Sequence, residues 1–138
     1  MDFISLLISM NILCADDDPW IGALYQQILA KLADENRHLA GRMEYFVCSM
    51  THGQAAWELL ESDLDRFDVV ILDHVMPGLT GMEIVTRLRG SRYRGRIIVQ
   101  SAFITSEMIQ TLKEMNVNEI VHKPIHVPTV LDLFTRAA

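Results

Sequence analysis

Residues 68–73 of the chain, with the sequence Asp-Val-Val-Ile-Leu-Asp, carry its strongest structural signal. An uninterrupted run of β-branched and aliphatic residues is typical of a central parallel strand, because helices cover both faces of such a strand. The run stops at Asp73. We therefore expect a buried strand over residues 68–72 that ends in a carboxylate.

Similar short apolar runs occur on either side of this segment. They lie at residues 11–15, 44–49, 97–100 and 119–121, and a segment with helical spacing of apolar residues follows each of them. Such an alternation of strands and helices predicts an α/β fold in which helices cover both faces of one parallel sheet. Ligands bind at the carboxyl ends of the strands in sheets of this kind, so the residues after each strand are the candidate site.

The first helix has clear boundary signals. Asp18 and Pro19 provide an N-cap and a first-turn proline, and the helix is expected to run to about residue 33. Apolar residues at spacings of three and four predict its buried face, which consists of Ile21, Leu24, Ile28 and Leu32.

The composition predicts one domain. The chain has 138 residues, 50% of them hydrophobic, and a formal net charge of −6. This length can bury a core without disulfides, and the excess of acids argues against coating of nucleic acid, which needs clustered Lys and Arg. Because Met10 directly precedes the first strand, we expect residues 1–9 to be an N-terminal extension and 10–138 the folded domain. Packing or dimerisation by the apolar residues of the extension is the alternative.

Nothing in the sequence predicts a membrane or secretory location. Residues 1–9 lack a basic region and a cleavage site, and their apolar run is too short for a membrane span. Cys14 and Cys48 stand in apolar surroundings without metal-ligand spacing, which favours buried thiols in a reducing compartment. We therefore expect a cytoplasmic protein.

Acidic, hydroxyl and basic residues follow the predicted strands. Asp16, Asp17 and Asp18 come after the first strand, Asp73 after the third, Ser101 after the fourth and Lys123 after the fifth. Clustered carboxylates repel one another unless a cation compensates, and oxygen ligands of this kind suit Mg²⁺. A lysine and a hydroxyl nearby complete a site for a phosphoryl group. Because the first strand lacks a glycine-rich nucleotide loop, the phosphoryl group must come from another molecule, and the carboxylate at the tip of the central strand could accept it.

The order of these motifs resembles the receiver domain of two-component response regulators, the CheY-like family. The similarity covers about residues 10–134 and rests on four segments: Ile-Leu-Cys-Ala-Asp-Asp-Asp-Pro (12–19), Phe-Asp-Val-Val-Ile-Leu-Asp-His-Val-Met-Pro-Gly-Leu-Thr-Gly (67–81), Ile-Ile-Val-Gln-Ser-Ala (97–102) and Val-His-Lys-Pro (121–124). It implies a doubly wound, flavodoxin-like sheet with strand order 2-1-3-4-5.

The resemblance also implies residue roles. Asp73 would be the phosphoacceptor, and Mg²⁺ would be held by Asp16, Asp17, Asp73 and the backbone carbonyl of Val75, with Asp17 the direct ligand of the acid pair. Ser101 would follow the phosphoryl group on activation. Lys123 would contact the phosphoryl group, and a cis peptide bond to Pro124 is expected after it.

Three positions depart from the family pattern. Ile120 replaces a switching aromatic residue, so a change in output must use the loop after the fourth strand, with Phe103, and the fourth helix. Val75 and Phe103 are apolar where polar residues of relatives help to orient an attacking water. We therefore expect slow hydrolysis of the phosphorylated form.

The predicted function is that of a phosphoacceptor switch, not of an enzyme with its own substrate. The phosphoryl donor would be a sensor histidine kinase or a histidine phosphotransfer protein, and an output domain or downstream protein would read a surface around helix four, strand five and helix five. Formation of a homodimer is a further possibility for this protein. An aspartyl-nucleophile phosphatase or phosphotransferase on a similar fold is the alternative, and a flavin-binding electron carrier is a third interpretation.

Arginines are concentrated before and at the fourth strand. They are predicted to form a mostly solvated loop opposite the site, with binding of phosphate or of an acidic partner as the alternative; they are Arg87, Arg89, Arg92, Arg94 and Arg96.

Overall fold

The computed structural model describes residues 8–38 and 42–135. Strands and helices alternate throughout these ranges, as the apolar periodicity predicts. The elements are β1 (Ile8–Ala15), α1 (Pro19–Glu35), β2 (Met43–Met50), α2 (Gly53–Ser62), β3 (Val69–Asp73), α3 (Gly81–Arg89), β4 (Arg96–Ser101), α4 (Ser106–Glu114), β5 (Glu119–His122) and α5 (Val127–Thr135).

The strands form one parallel sheet in the order β2-β1-β3-β4-β5. This order confirms the predicted doubly wound fold. Every residue of β3 is buried, because this strand lies between β1 and β4 and helices cover both of its faces. The carboxyl ends of β1, β3, β4 and β5 therefore meet along one edge of the sheet.

Successive residues of each central strand face two separate cores. In β3, Val70 and Leu72 pack into the core formed with α2, α3 and α4, whereas Val69 and Ile71 pack into the core formed with α1 and α5. This distribution follows from the two-residue repeat of a strand. It explains why the central runs are apolar at consecutive positions and do not alternate with polar residues.

Helix α1 begins as predicted, but its buried face is rotated from the predicted one. The carboxylate of Asp18 accepts a hydrogen bond from the backbone N–H of Trp20, and Pro19 is the first helical residue. The buried positions are Gly22, Tyr25, Ile28 and Leu29, whereas Ile21, Leu24 and Leu32 are only partly buried. The apolar stripe is wider than one row. Tyr25 and Leu29 lie in the core against the sheet, and the side-chain amide of Gln26 bonds to the backbone of Tyr45 and Val47 in β2.

Strand β1 begins at Ile8, three residues before its predicted start at Asn11, and pairs from there with Met43 of β2. The division into residues 1–9 and 10–138 stays a prediction. Residues 1–7 of the predicted extension, including the apolar residues proposed to pack or dimerise, lie outside the described residues.

Two of the five clustered arginines, Arg89 and Arg96, are half-buried and bonded to backbone carbonyls, so the prediction of a solvated loop is wrong for these two. Arg89 donates hydrogen bonds to the carbonyls of Met115 and Asn116 at 2.9 and 2.7 Å, which ties α3 to the end of α4. Arg96 donates to the carbonyl of Leu133 in α5, and the guanidinium of Arg87 lies over the ring of Trp57. Arg87 remains exposed despite this ring contact, and Arg92 and Arg94 are exposed as predicted.

Within the described ranges, no helix has both the length and the apolar composition needed to cross a membrane.

The loop between β3 and α3 is held by the start of α2. The backbone N–H of Gly53 donates to the carbonyl of Pro77 at 2.8 Å. A Cβ atom at Gly53 would collide with the backbone carbonyl of Leu79. The absence of a side chain therefore allows α2 to approach the loop that follows Asp73.

We predict that Gly53→Ala destabilises the protein by about 2 kcal/mol, because the added methyl group meets backbone atoms that cannot move aside locally. Gly90→Ala is the matched control. Its Cβ would lie 3.5 Å from the carbonyl oxygen of Thr86, an ordinary contact, and we expect a change within about 0.5 kcal/mol. Urea unfolding of both variants measures the difference, and equal stabilities would contradict the close approach.

Candidate functional site

Carboxylates from two neighbouring strands converge at the carboxyl edge of the sheet. Oxygen atoms of Asp16, Asp17 and Asp73 all lie within 4.8 Å of one another. Asp16 and Asp73 are 2% and 4% exposed, whereas Asp17 is open to solvent. The pairing of β1 with β3 produces this cluster, since Ala15, directly before the acids, is the register partner of Leu72.

Lys123 reaches both buried acids. Its Nζ lies 2.7 Å from Oδ2 of Asp16 and 3.2 Å from Oδ2 of Asp73. The peptide bond between Lys123 and Pro124 is cis, in agreement with the sequence prediction. The backbone N–H of Lys123 also donates to the carbonyl of Ser101 at 2.9 Å, which attaches the loop after β5 to the end of β4.

The charges in this cluster perturb one another. Burial, together with the negative charge of Asp16, raises the pKa of Asp73 to about 6, although Lys123 partly offsets this effect. Burial opposes the charge on Lys123, but its bonds with Asp16 and Asp73 outweigh burial and raise the pKa of the ammonium group. Asp73 is therefore a carboxyl group that would gain from additional positive charge nearby.

The residues fit a divalent cation of the Mg²⁺ type. They provide carboxylate oxygens, the ligands this ion prefers, and Asp17 leaves one side open to water, which Mg²⁺ retains. Burial and, after it, the negative charge of Asp16 raise the pKa of Asp73, and a cation bound beside the carboxylates would oppose both effects. The backbone carbonyl of Val75 follows in the same loop, where the Val75 N–H lies 3.4 Å from Oδ1 of Asp73.

Ser101 is buried at the end of β4, but its hydroxyl is turned to its own loop. The Oγ donates to the carbonyl of Phe103 at 2.9 Å and accepts from the N–H of Phe103 at 3.2 Å. The structure thus brings Ser101 to the edge of the cluster without a bond to an acid. Any movement of this hydroxyl towards Asp73 breaks both bonds with Phe103.

The apolar positions singled out in the sequence lie around the mouth of the site. Val75 is 61% exposed and Phe103 is 80% exposed. Trp20, in the first turn of α1, is exposed as well. Ile120 is half-buried in β5 and lines a groove of about 500 Å³ between α4 and β5 with Ile104.

Two further residues, Gln100 and Tyr25, belong to the site and were missed by the sequence reasoning. The Nε2 of Gln100 donates to Oδ2 of Asp16 at 2.8 Å, and the hydroxyl of Tyr25 donates to Oε1 of Gln100 at 2.9 Å. The sequence did contain a signal for Gln100, since a glutamine stands at the end of an otherwise apolar predicted strand. A buried amide requires polar partners, so its position indicated a polar contact nearby.

The geometry can hold a phosphoryl group against Asp73. A carboxylate oxygen of Asp73 is the candidate nucleophile, and Lys123 can form a charge-assisted hydrogen bond with a phosphoryl oxygen.

Comparisons with known proteins agree with this geometry. Residues 12–135 match the family model of the response regulator receiver domain. The transcriptional regulatory protein MalR of Bacillus subtilis is 28% identical over 115 residues, which are 83% of this chain and 44% of that protein. Sporulation initiation phosphotransferase F of the same organism is 32% identical over 68 residues, 49% of this chain and 55% of that protein. The chain thus matches about half the length of these two relatives.

A solved structure shows the same fold. The chemotaxis protein CheY4 of Vibrio cholerae superposes with a TM-score of 0.74 at 25% identity, covering 94% of this chain and 99% of that chain.

We predict that Asp73→Asn stabilises the metal-free protein at neutral pH by about 1 kcal/mol, or roughly 4 °C in Tm. The folded protein raises the pKa of Asp73 from 3.8 to about 6, so the native state binds the proton more tightly than the unfolded chain and ionisation lowers stability as the pH rises through this window. The gain should disappear near pH 4, where the carboxyl is protonated in the native state.

Thermal unfolding in the presence of a chelator, at both pH values, measures this gain. Asp65→Asn is the control, because it changes the net charge equally at an exposed position. A gain of equal size at both pH values, or a loss at neutral pH, would contradict the electrostatic origin.

Proposed function

Because the chain belongs to the response regulator receiver domain family, we propose that Asp73 is the residue of this signalling domain that accepts a phosphoryl group. The observation that supports this role is the position of the buried Asp73 carboxylate, which lies with Asp16 and Asp17 in one cluster and 3.2 Å from Lys123. A buried carboxyl group with a perturbed pKa at the tip of the central strand is typical of functional sites.

The phosphoryl donor is a phosphohistidine of a sensor histidine kinase or of a histidine phosphotransfer protein. An oxygen of Asp73 attacks phosphorus, the bond between phosphorus and the imidazole nitrogen breaks, and the imidazole takes up a proton as it leaves. Asp73 becomes an acyl phosphate. No oxidation or reduction takes place, and the phosphoryl group is conserved between the two proteins.

Asp16, Asp17, Asp73 and the carbonyl of Val75 would hold Mg²⁺, which supplies positive charge for the phosphoryl oxygens. The chain's own residues carry the other functions. Lys123 changes its partner from the carboxylates to a phosphoryl oxygen, because a dianionic phosphoryl group attracts the ammonium more strongly than one carboxylate does. Ser101 then leaves Phe103 and donates to another phosphoryl oxygen.

The output follows from that movement. Phe103 loses both of its bonds with Ser101, so the loop between β4 and α4 is free to rearrange. The adjacent groove between α4 and β5 has a mixed lining, in which Ile104, Ile109 and Ile120 are apolar and Lys113 and Glu119 are charged. We propose that an output domain or a downstream protein reads the surface of α4, β5 and α5, and that this change does not require an aromatic residue at position 120. A homodimer is compatible with the same surface.

The rival interpretations are less well supported. An aspartyl-nucleophile phosphatase typically places a second acid two residues after the nucleophile, and Val75 occupies that position. A flavin phosphate would meet the carboxylates of the acid cluster. In this proposal, the domain assists its own phosphorylation and dephosphorylation. It acts as a cytoplasmic signalling protein and does not itself contact nucleic acid or membrane.

We predict that incubation with acetyl phosphate and Mg²⁺ adds the mass of one phosphoryl group, and that Asp73→Asn or a chelator abolishes the addition. Intact-mass spectrometry measures both. Asp18→Asn is the matched control, because asparagine preserves the cap on Trp20 while it removes one acid from the same run. Phosphorylation that survives Asp73→Asn would refute the assignment of the acceptor.

We further predict that Val75→Asn shortens the lifetime of the phosphorylated protein about tenfold, because an amide at the mouth of the site can orient the attacking water. This effect is smaller than the rate enhancement that a general base contributes. Val75→Leu is the control, since leucine has nearly the shape of asparagine without its polarity. The loss of phosphoryl mass over time, after removal of the donor, reports the rate. An unchanged lifetime in Val75→Asn would show that the apolar residue does not slow hydrolysis.

A further inference from the structure

Gln100 is a buried polar residue at the end of an apolar strand. It follows Ile97, Ile98 and Val99 in β4 and has no exposed surface. A buried amide destabilises a protein unless its donor and acceptor are both bonded. Its partners therefore determine what it does in this site.

The two hydrogen-bond partners of the Gln100 side-chain amide fix its orientation. An ionised carboxylate only accepts hydrogen bonds, so the Nε2 group must face Asp16, at 2.8 Å. The Oε1 atom then faces the hydroxyl of Tyr25, which donates to it at 2.9 Å. Burial raises the pKa of Tyr25, so this hydroxyl keeps its proton and remains a donor. The amide cannot flip without placing its carbonyl against a carboxylate.

The Asp16 carboxylate is fixed from three sides. Its Oδ1 accepts from the N–H of Asp18 at 2.9 Å, and its Oδ2 accepts from Gln100 and from Lys123 at 2.8 and 2.7 Å. The bond between Asp16 and Lys123 depends on the state of Asp73. The ammonium group is shared with Asp73, and a phosphoryl group on Asp73 would attract it. The bond with Gln100 comes from the interior of the sheet and does not depend on the state of Asp73.

We propose that Gln100 is a positioning residue whose amide, oriented by the hydroxyl of Tyr25, holds the Asp16 carboxylate in the orientation that the divalent cation site requires. The proposal rests on the proposed function, in which Asp16 belongs to that site. Tyr25 lies on α1, so the bonds link the core between α1 and the sheet with the acid cluster. Residues that orient a metal ligand typically contribute tenfold or more to affinity for the metal.

The test is the affinity of the unphosphorylated protein for Mg²⁺, followed by NMR as MgCl₂ is added. We expect Gln100→Met, which keeps the volume but removes both bonds, to weaken Mg²⁺ binding by about tenfold. Tyr25→Phe keeps the donor on Asp16 but frees the amide, and it should weaken binding by a smaller factor. Phosphorylation by acetyl phosphate should require more Mg²⁺ in both variants and recover its rate when Mg²⁺ is saturating.

Tyr93→Phe is the matched control. Tyr93 is also buried, and its hydroxyl donates to the carbonyl of Phe67 at 2.9 Å, at the amino end of β3 and away from the acids. A stability loss without a change in Mg²⁺ affinity is the result expected there. The same result in Gln100→Met would overturn the proposal, and Tyr25→Phe decides the question if Gln100→Met fails to fold. Absence of Mg²⁺ binding in the unmutated protein would refute the metal site itself, a distinct outcome.

Discussion

Repulsion between two buried carboxylates is the constraint on which this site depends. Asp16 and Asp73 lie at the ends of adjacent strands with almost no exposed surface, and their mutual charge contributes to a raised pKa for Asp73. Lys123 lies between them and offsets part of that repulsion. A cluster that is incompletely balanced in this way is suited to a cation. A bound cation would compensate the two acids and leave Lys123 available to a phosphoryl group.

The parallel sheet makes this arrangement possible. With the order β2-β1-β3-β4-β5, the loops after β1, β3, β4 and β5 leave one edge side by side. The β3–α3 loop is then held by contacts that are remote from the acids, such as the bond from Gly53 to Pro77. The surrounding core is apolar, so its few polar members are informative. Gln100 and Tyr25 extend the acid cluster into the interior, and the Ser101 hydroxyl connects its rim to the loop that carries Phe103.

Much of this could be predicted from one sequence. Apolar runs and helical spacing predicted all the strands and helices of the described ranges, with boundary errors such as the early start of β1 at Ile8. Asp16, Asp17, Asp73 and Lys123 were predicted to converge, because the residues that follow parallel strands meet at one edge. The buried face of α1 was predicted less well, since Tyr25 was not part of the predicted apolar row. The solvated arginine loop was wrong for Arg89 and Arg96, whose carbonyl partners are remote in sequence.

Local patterns were sufficient for the element types, the cap at Asp18 and the identity of the acids at the strand ends, because each depends on residues that are close in the chain. The tertiary structure alone decided which polar groups are bonded to which. Gln100 and Asp16 are separated by 84 positions and Gln100 and Tyr25 by 75, and no local periodicity reports a contact across that distance. The direction of the Ser101 hydroxyl and the sharing of Lys123 between two acids likewise depend on distances that exist only once β1, β3, β4 and β5 have paired.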